Sequence, residues 1–173
     1  MSYKSSCLPI CLLTVALALA SCSLSTVYHQ YKHVSANGWD RIDTVWFHIP
    51  PVKDDAILHE SVELRTNGHY PFTDLCLIVE QTIHPAQPAS EAAPYSTGEI
   101  KRSDTLYCSI ADKLGRMKGK GVNLFQYQFH LTDLSISEGD SIDIAIYHHM
   151  RREVLTGIVD VGVKLIDNSQ LKN

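Results

Sequence analysis

Apolar residues are distributed along this chain in two unlike patterns. Near the N-terminus they form one run, Leu8 to Ala20, 13 residues without a charge. From Arg41 onward they come in short segments rich in β-branched and aromatic residues, bounded by Gly, Pro, Asn and Asp. Several of these segments alternate apolar and polar residues. That is the period of a half-buried antiparallel strand, whose successive side chains point to opposite faces. In "NLFQYQFHL" the period puts Phe125, Tyr127, Phe129 and Leu131 on one face and Gln126, Gln128 and His130 on the other. "DSIDIAIYHH" turns Ile142, Ile144 and Ile146 inward, and "IVDVGVKLI" does so with Val159, Val161, Val163 and Leu165. "IDTVWFHI" and "AILHESVELRT", the latter closed by Asn67-Gly68, read as further strands. "DLCLIVEQTI" is almost continuously apolar, as a strand buried on both faces would be.

Helical periodicity is weak beyond the first run; only "LYCSIADKLG" could form a turn or two of helix. The stretch from His84 to Ser103 carries three prolines in "HPAQPASEAAP" and is expected to be a long loop, either mobile or an interaction surface. Strands separated by turn signals predict an all-β fold: an antiparallel β-sandwich, immunoglobulin- or jelly-roll-like, as a single domain over residues 39–173.

The N-terminal run is too short for a membrane span, which needs about 20 apolar residues, but fits a secretory apolar region of about 7–15 residues. It ends in Leu19-Ala20-Ser21-Cys22, a branched aliphatic residue, two small residues and a cysteine. This junction resembles the bacterial lipobox. The resemblance implies that residues 1–21 are a lipoprotein signal peptide and that Cys22 carries a covalent diacylglycerol and acyl chain after cleavage. Two or three acyl chains make a stable anchor where one is marginal. Residues 22–38 are polar, lack periodicity and end in Asn37-Gly38, so they are expected to be a flexible tether reaching roughly 50 Å if extended.

Loss of Lys4 with the signal takes the formal net charge from −4 to −5. A mildly acidic chain has no electrostatic reason to bind nucleic acid or anionic headgroups. Beyond the signal and anchor only Cys76 and Cys108 remain, and an oxidising envelope would permit a disulfide between them; two separate buried thiols are the alternative. Nine histidines suggest a metal. However, His148 and His149 are adjacent and would face opposite ways on a strand, and no His-Glu-x-x-His or i, i+2 pair occurs, so no metal ligands and no cofactor are expected. "GRMKGKG" lacks the spacing of a phosphate loop and reads as a basic turn presenting Lys118 and Lys120. Asp54-Asp55 beside Pro50-Pro51 reads as solvated charge. No nucleophile elbow or cysteine–histidine pairing nominates an active site, and the chain is expected not to be an enzyme.

Four stretches carry a family resemblance: "WDRIDTVWFHIP", "RTNGHYPFTDLCLIVE", "SDTLYCSIADKLGRMKGKG" and "MRREVLTGIVDVGVKL". In order and spacing they resemble the gliding-motility lipoprotein H family, GldH, of the Bacteroidetes, from about Trp39 to Leu165. The resemblance implies a non-enzymatic, lipid-anchored accessory protein of a gliding motility or associated secretion apparatus. Its partners would be the membrane, through the anchor, and other envelope proteins. After Cys22 there is no acidic run resembling a surface-export signal, which favours an outer-membrane protein facing the periplasm. In the C-terminal stretch Gly157 and Gly162 interrupt a strand hairpin, and Arg151-Arg152 beside the turn could engage a partner's carboxylates. A carbohydrate-binding lipoprotein is the alternative, with Tyr70 and Tyr95 as exposed aromatics on the sandwich.

Overall fold

The computed structural model describes residues 26–86 and 98–168. They form ten strands: β1 (Thr26–His33), β2 (Trp39–Asp40), β3 (Val45–Ile49), β4 (Ala56–Thr66), β5 (Asp74–His84), β6 (Ile100–Ser109), β7 (Phe125–Ile136), β8 (Ser141–His148), β9 (Val154–Leu155) and β10 (Ile158–Asp167). No helix occurs among the described residues. One sheet has the order β1-β10-β4-β7, the other β3-β8-β5-β6, and β2 with β9 makes a short ribbon. All pairings are antiparallel.

The long strands pair from the ends of the chain inward: β1 with β10, β3 with β8, β4 with β7, β5 with β6. This is one long hairpin rolled into two sheets, the jelly-roll connectivity. It decides between the two sandwich kinds that alternation alone allows. Between the sheets lie Phe47, Leu58, Val62, Leu64, Leu75, Leu77, Val79, Ile142, Ile144, Ile146, Val161, Val163 and Leu165, each at most 1% exposed. Burying each such side chain stabilises the fold by about 1.5–3 kcal/mol.

Four expectations from the pattern give way to the tertiary structure. Residues 26–33 are not free tether; they form β1 against β10, from Thr26 opposite Ile166 to His33 opposite Asp160. β1 is an edge strand with no fully buried residue, so no alternation of apolar and polar residues marked it. "DLCLIVEQTI" is not buried on both faces: Leu75, Leu77, Val79 and Ile83 face the core, while Cys76, Ile78 and Thr82 are only partly covered and Glu80 is exposed. "LYCSIADKLG" is not helical; Leu106 to Ser109 end β6 and a turn follows. Ile100 to Ser103, expected as loop, open that strand.

Two β-bulges redirect the alternation. β7 pairs His130 with Ser61 and Thr132 with Glu60, leaving Leu131 as an extra residue. Inward positions are therefore odd before it, as at Tyr127, and even after it, as at Leu134 and Ile136. A second bulge at Val159 exchanges its expected place in the core for Ile158.

The strand directions give the sandwich two distinct ends. The near end holds Thr26, the 50–55 loop, the 137–140 turn and the end of β10; Val52 N–H donates to Asp140 O (2.9 Å) and Asn168 N–H to Ile57 O (2.8 Å). The far end holds the β2–β9 ribbon and the 67–73, 110–124 and 149–157 segments. Asn67 N–H donates to Gly157 O (3.0 Å), Ile110 N–H to Thr73 O (2.8 Å) and Arg41 N–H to Glu153 O (2.7 Å).

Candidate functional site

Parts of the four stretches that carry the family resemblance, far apart in sequence, meet at the far end: residues 39–43, 67–73, 110–121 and 150–157. Trp39 is the plug: it is 1% exposed, donates Nε1–H to Asp43 O (2.9 Å) and meets His148 edge-on, centroids 5.4 Å apart. His148 is itself buried, with Nε2 3.2 Å from Trp39 O and Nδ1 accepting Met150 N–H at 3.4 Å. Desolvation holds this imidazole below the usual histidine range, so it is neutral inside the fold. Its neighbour His149 points to solvent, as adjacent strand residues must.

Tyr70 is 4% exposed and donates its hydroxyl to Asp74 O (3.0 Å), so it is not the open aromatic expected. Tyr95 lies outside the described residues. Gly157, at φ +89°, has room for no side chain: a Cβ there would stand 2.3 Å from Tyr70 N. The glycine lets the 67–73 loop lie directly on the β9–β10 turn.

On this platform the 110–124 connection stands out toward solvent. Asp112 organises it, accepting Leu114 N–H (2.8 Å) and Arg116 N–H (3.0 Å) and pairing with Arg116 Nε (2.7 Å). The Arg116 backbone bond, ahead of its side chain, holds the Asp112 carboxyl below its ordinary range. In this connection Leu114 is 79% and Val122 85% exposed; Ile42, in the turn between β2 and β3, is 84% exposed. Lys118 and Lys120 sit in this connection between strands as expected, with Lys118 Nζ donating to Ser109 Oγ (2.7 Å). Arg151 and Arg152 are exposed in the 149–157 segment and make no ion pair with the described residues. The far end thus offers apolar knobs among unpaired cations, a surface able to receive an apolar partner rimmed by carboxylates.

Cys76 and Cys108 are free thiols. The disulfide that the envelope would have permitted is not made, because the cysteines lie on opposite faces of their sheet. Cys108 is opposite Leu75 in the core, whereas Cys76 is opposite Tyr107 on the outer face. Burial, and secondarily Cys76 nearby, pushes the Cys108 thiol up to about 12, which leaves it unreactive. Cys22 lies outside the described residues.

The outer face of the first sheet carries polar networks that sequence reasoning missed. Tyr31 reaches from β1 across Gly162 to donate its hydroxyl to Glu63 on β4; His29 Nε2 meets the same oxygen at 2.8 Å. Gln126 Nε2–H donates to Tyr31 Oη (2.8 Å), and the Arg65 guanidinium lies 3.7 Å above its ring. Desolvation first and Glu63 second raise the Tyr31 phenol above its ordinary range, so it stays a donor. On the other sheet Asp143 joins His48 Nδ1 (2.7 Å) and His84 Nε2 (2.9 Å), and the His48 bond, the larger influence, holds the Asp143 carboxyl below its ordinary range. Most of these pairs unite strands distant in sequence, and only the register could have predicted them.

A family model described as GldH lipoprotein matches residues 26–165. The chain belongs to the GldH lipoprotein family. Membership of the GldH family makes it a lipid-anchored protein of the cell envelope. The gliding motility lipoprotein GldH of Flavobacterium johnsoniae is 26% identical over 161 residues, covering 89% of this chain and 92% of that relative. Among solved structures, an aminopeptidase from a marine sediment Thaumarchaeota archaeon is similar over 83% of this chain and 32% of its own, at a TM-score of 0.41 and 9% identity. An alpha-amino acid ester hydrolase is similar over 88% and 32%, at 0.39 and 10%. The chain therefore spans about a third of the length of these solved chains.

Proposed function

We propose that the protein is a non-enzymatic adaptor of a gliding motility or associated secretion apparatus, anchored through lipid on Cys22 and binding other envelope proteins with the far end of its jelly roll. One observation carries this reading: each stretch that resembles the family has one end in the segments that meet opposite Thr26. Because β1 begins at Thr26, only residues 23–25 separate it from Cys22, a reach of roughly 14 Å at most. The near end is then held against the bilayer, and the end bearing Leu114, Val122, Arg151 and Arg152 is directed away from it. We place the anchor in the outer membrane with the domain in the periplasm, since no acidic export-like run follows Cys22. Burial leaves the Cys108 thiol inert, which removes one candidate nucleophile and supports binding over catalysis.

Photo-crosslinking amino acids placed at positions 114 and 152, with position 138 at the near end as control, test the reading in living cells. Covalent adducts with envelope proteins are expected from 114 and 152. Adducts only from 138 would overturn the orientation, and none from any position would overturn the adaptor role. Cys22→Ala should abolish incorporation of a clickable fatty acid and leave an unprocessed precursor; retained label would place the anchor elsewhere.

A glycan-binding reading now rests on Trp46, 59% exposed on the outer face of the second sheet, rather than on Tyr70. Binding of the purified protein on a glycan array, lost in Trp46→Ala, would favour it over the adaptor.

A further inference from the structure

The pairing of β4 with β7 builds a second cluster on the outer face of the first sheet. His59 stands opposite Asp133, and His130 stands opposite Ser61, two residues further along β4. In a regular strand residues 130 and 133 would face opposite sides. The extra residue Leu131 restores them to one side, so the bulge is what assembles the group. His59 Nδ1 lies 2.9 Å from Asp133 Oδ1, and the imidazoles of His59 and His130 stack, centroids 4.1 Å apart and planes within 6°. One ligand atom from each of the three lies within 4.8 Å of the others. His59 is partly buried on a central strand; His130 and Asp133 are exposed on an edge strand.

We propose that His59, His130 and Asp133 form a binding site for a divalent first-row transition ion such as Zn2+. Two imidazoles and a carboxylate are a ligand set for such an ion, with any remaining positions left to water or to a partner's side chain. Tetrahedral ligands about 2.0–2.1 Å from an ion lie closer together than the widest spacing here, so the group must close slightly. Rotation of the two exposed side chains supplies this, while His59, held between strands, sets the position. The ion would displace the proton shared by His59 and Asp133, so binding weakens as pH falls.

The test uses the full chain in detergent, purified without a histidine tag and titrated with Zn2+ against a chromogenic chelator. One ion per chain is expected. His130→Ala and Asp133→Asn, both exposed and compatible with folding, should each weaken binding about tenfold or more, at least the loss usual for a ligand's supporting partner. His84→Ala, on the other sheet, should leave binding unchanged. A Zn2+-induced rise in melting temperature should appear in the parent and vanish in His130→Ala. Absence of saturable binding, equal affinity in His130→Ala, or equal loss in His84→Ala would each overturn the proposal.

Discussion

Glu60 shows how one side chain can oppose the fold that contains it. It faces the core from β4, 0% exposed, and accepts a hydrogen bond from Gln81 Nε2 of the opposite sheet. Glu60 Oε1 and Gln81 Oε1 have no partner. Desolvation outweighs the Gln81 bond and the field of Arg102, raising the carboxyl from 4.5 to about 7. A proton would turn one orphan acceptor into a donor. With the folded pKa raised, the folded state binds more protons than the unfolded, so stability is present below about 4.5 and lost as pH rises through about 7. Glu60→Gln should remove this loss and raise stability at pH 8 by on the order of 2–3 kcal/mol, read from urea melts at pH 5 and pH 8. No pH-dependent difference between parent and variant would contradict it. Gly162 makes the complementary case: a Cβ there would stand 2.7 Å from the Tyr31 ring. Gly162→Val should displace Tyr31 from Glu63 and cost about 1–3 kcal/mol. The cost should shrink in a Tyr31→Ala background, and a double-mutant cycle of melting curves tests the coupling.

Elements here are decided by pairing more than by their own residues. β1 has no fully buried residue, yet it covers the edge of β10 from Asp160 to Ile166. A chain lacking residues 26–33 should leave that edge unpaired, melt well below the parent and self-associate, because an open strand edge templates further pairing. Calorimetry and light scattering measure both; a monomer with unchanged melting would restore the view of these residues as tether. Deletion of Leu131 should be tolerated, whereas one residue inserted after Thr132 should not. Without Leu131, His130 still stands opposite Ser61 and Thr132 opposite Glu60, so Leu134 and Ile136 keep their inward places, while the insertion turns both outward. Circular dichroism and melting curves separate the two, and loss of the fold in the deletion would contradict the bulge.

For the whole molecule, two buried groups pull the pH profile in opposite directions. The imidazole of His148 is depressed below 6.5, so its contribution is present above that pH and lost as pH falls. Glu60 acts with the reverse sign over about 4.5 to 7. The parent should therefore show a shallow profile in this window, and Glu60→Gln should expose a steeper acid-side loss. At the far end, Arg151→Ser with Arg152→Ser should change stability by less than about 0.5 kcal/mol, as exposed substitutions do. The same variant should reduce co-purification of envelope proteins; a large drop in melting temperature, or undiminished co-purification, would remove these arginines from the binding surface.

The all-β class, the turns at Asn37-Gly38 and Asn67-Gly68, and the inward isoleucines of β8 were legible in the sequence by itself. These depend on local alternation and local turn chemistry, which a few adjacent residues determine. The choice of jelly roll over immunoglobulin sandwich was not legible, because it rests on pairings such as β1 with β10 between opposite ends of the chain. The inward turn of Glu60 and the free state of Cys76 and Cys108 likewise depend on which strand lies opposite. His59, His130 and Asp133 share a side only because Leu131 is unpaired in the register. The same physics explains the far end: Trp39, Tyr70, Leu114, Arg151 and Gly157 each read as a strand, turn or loop residue alone. They come together only because antiparallel folding brings their segments to the same end of the sandwich.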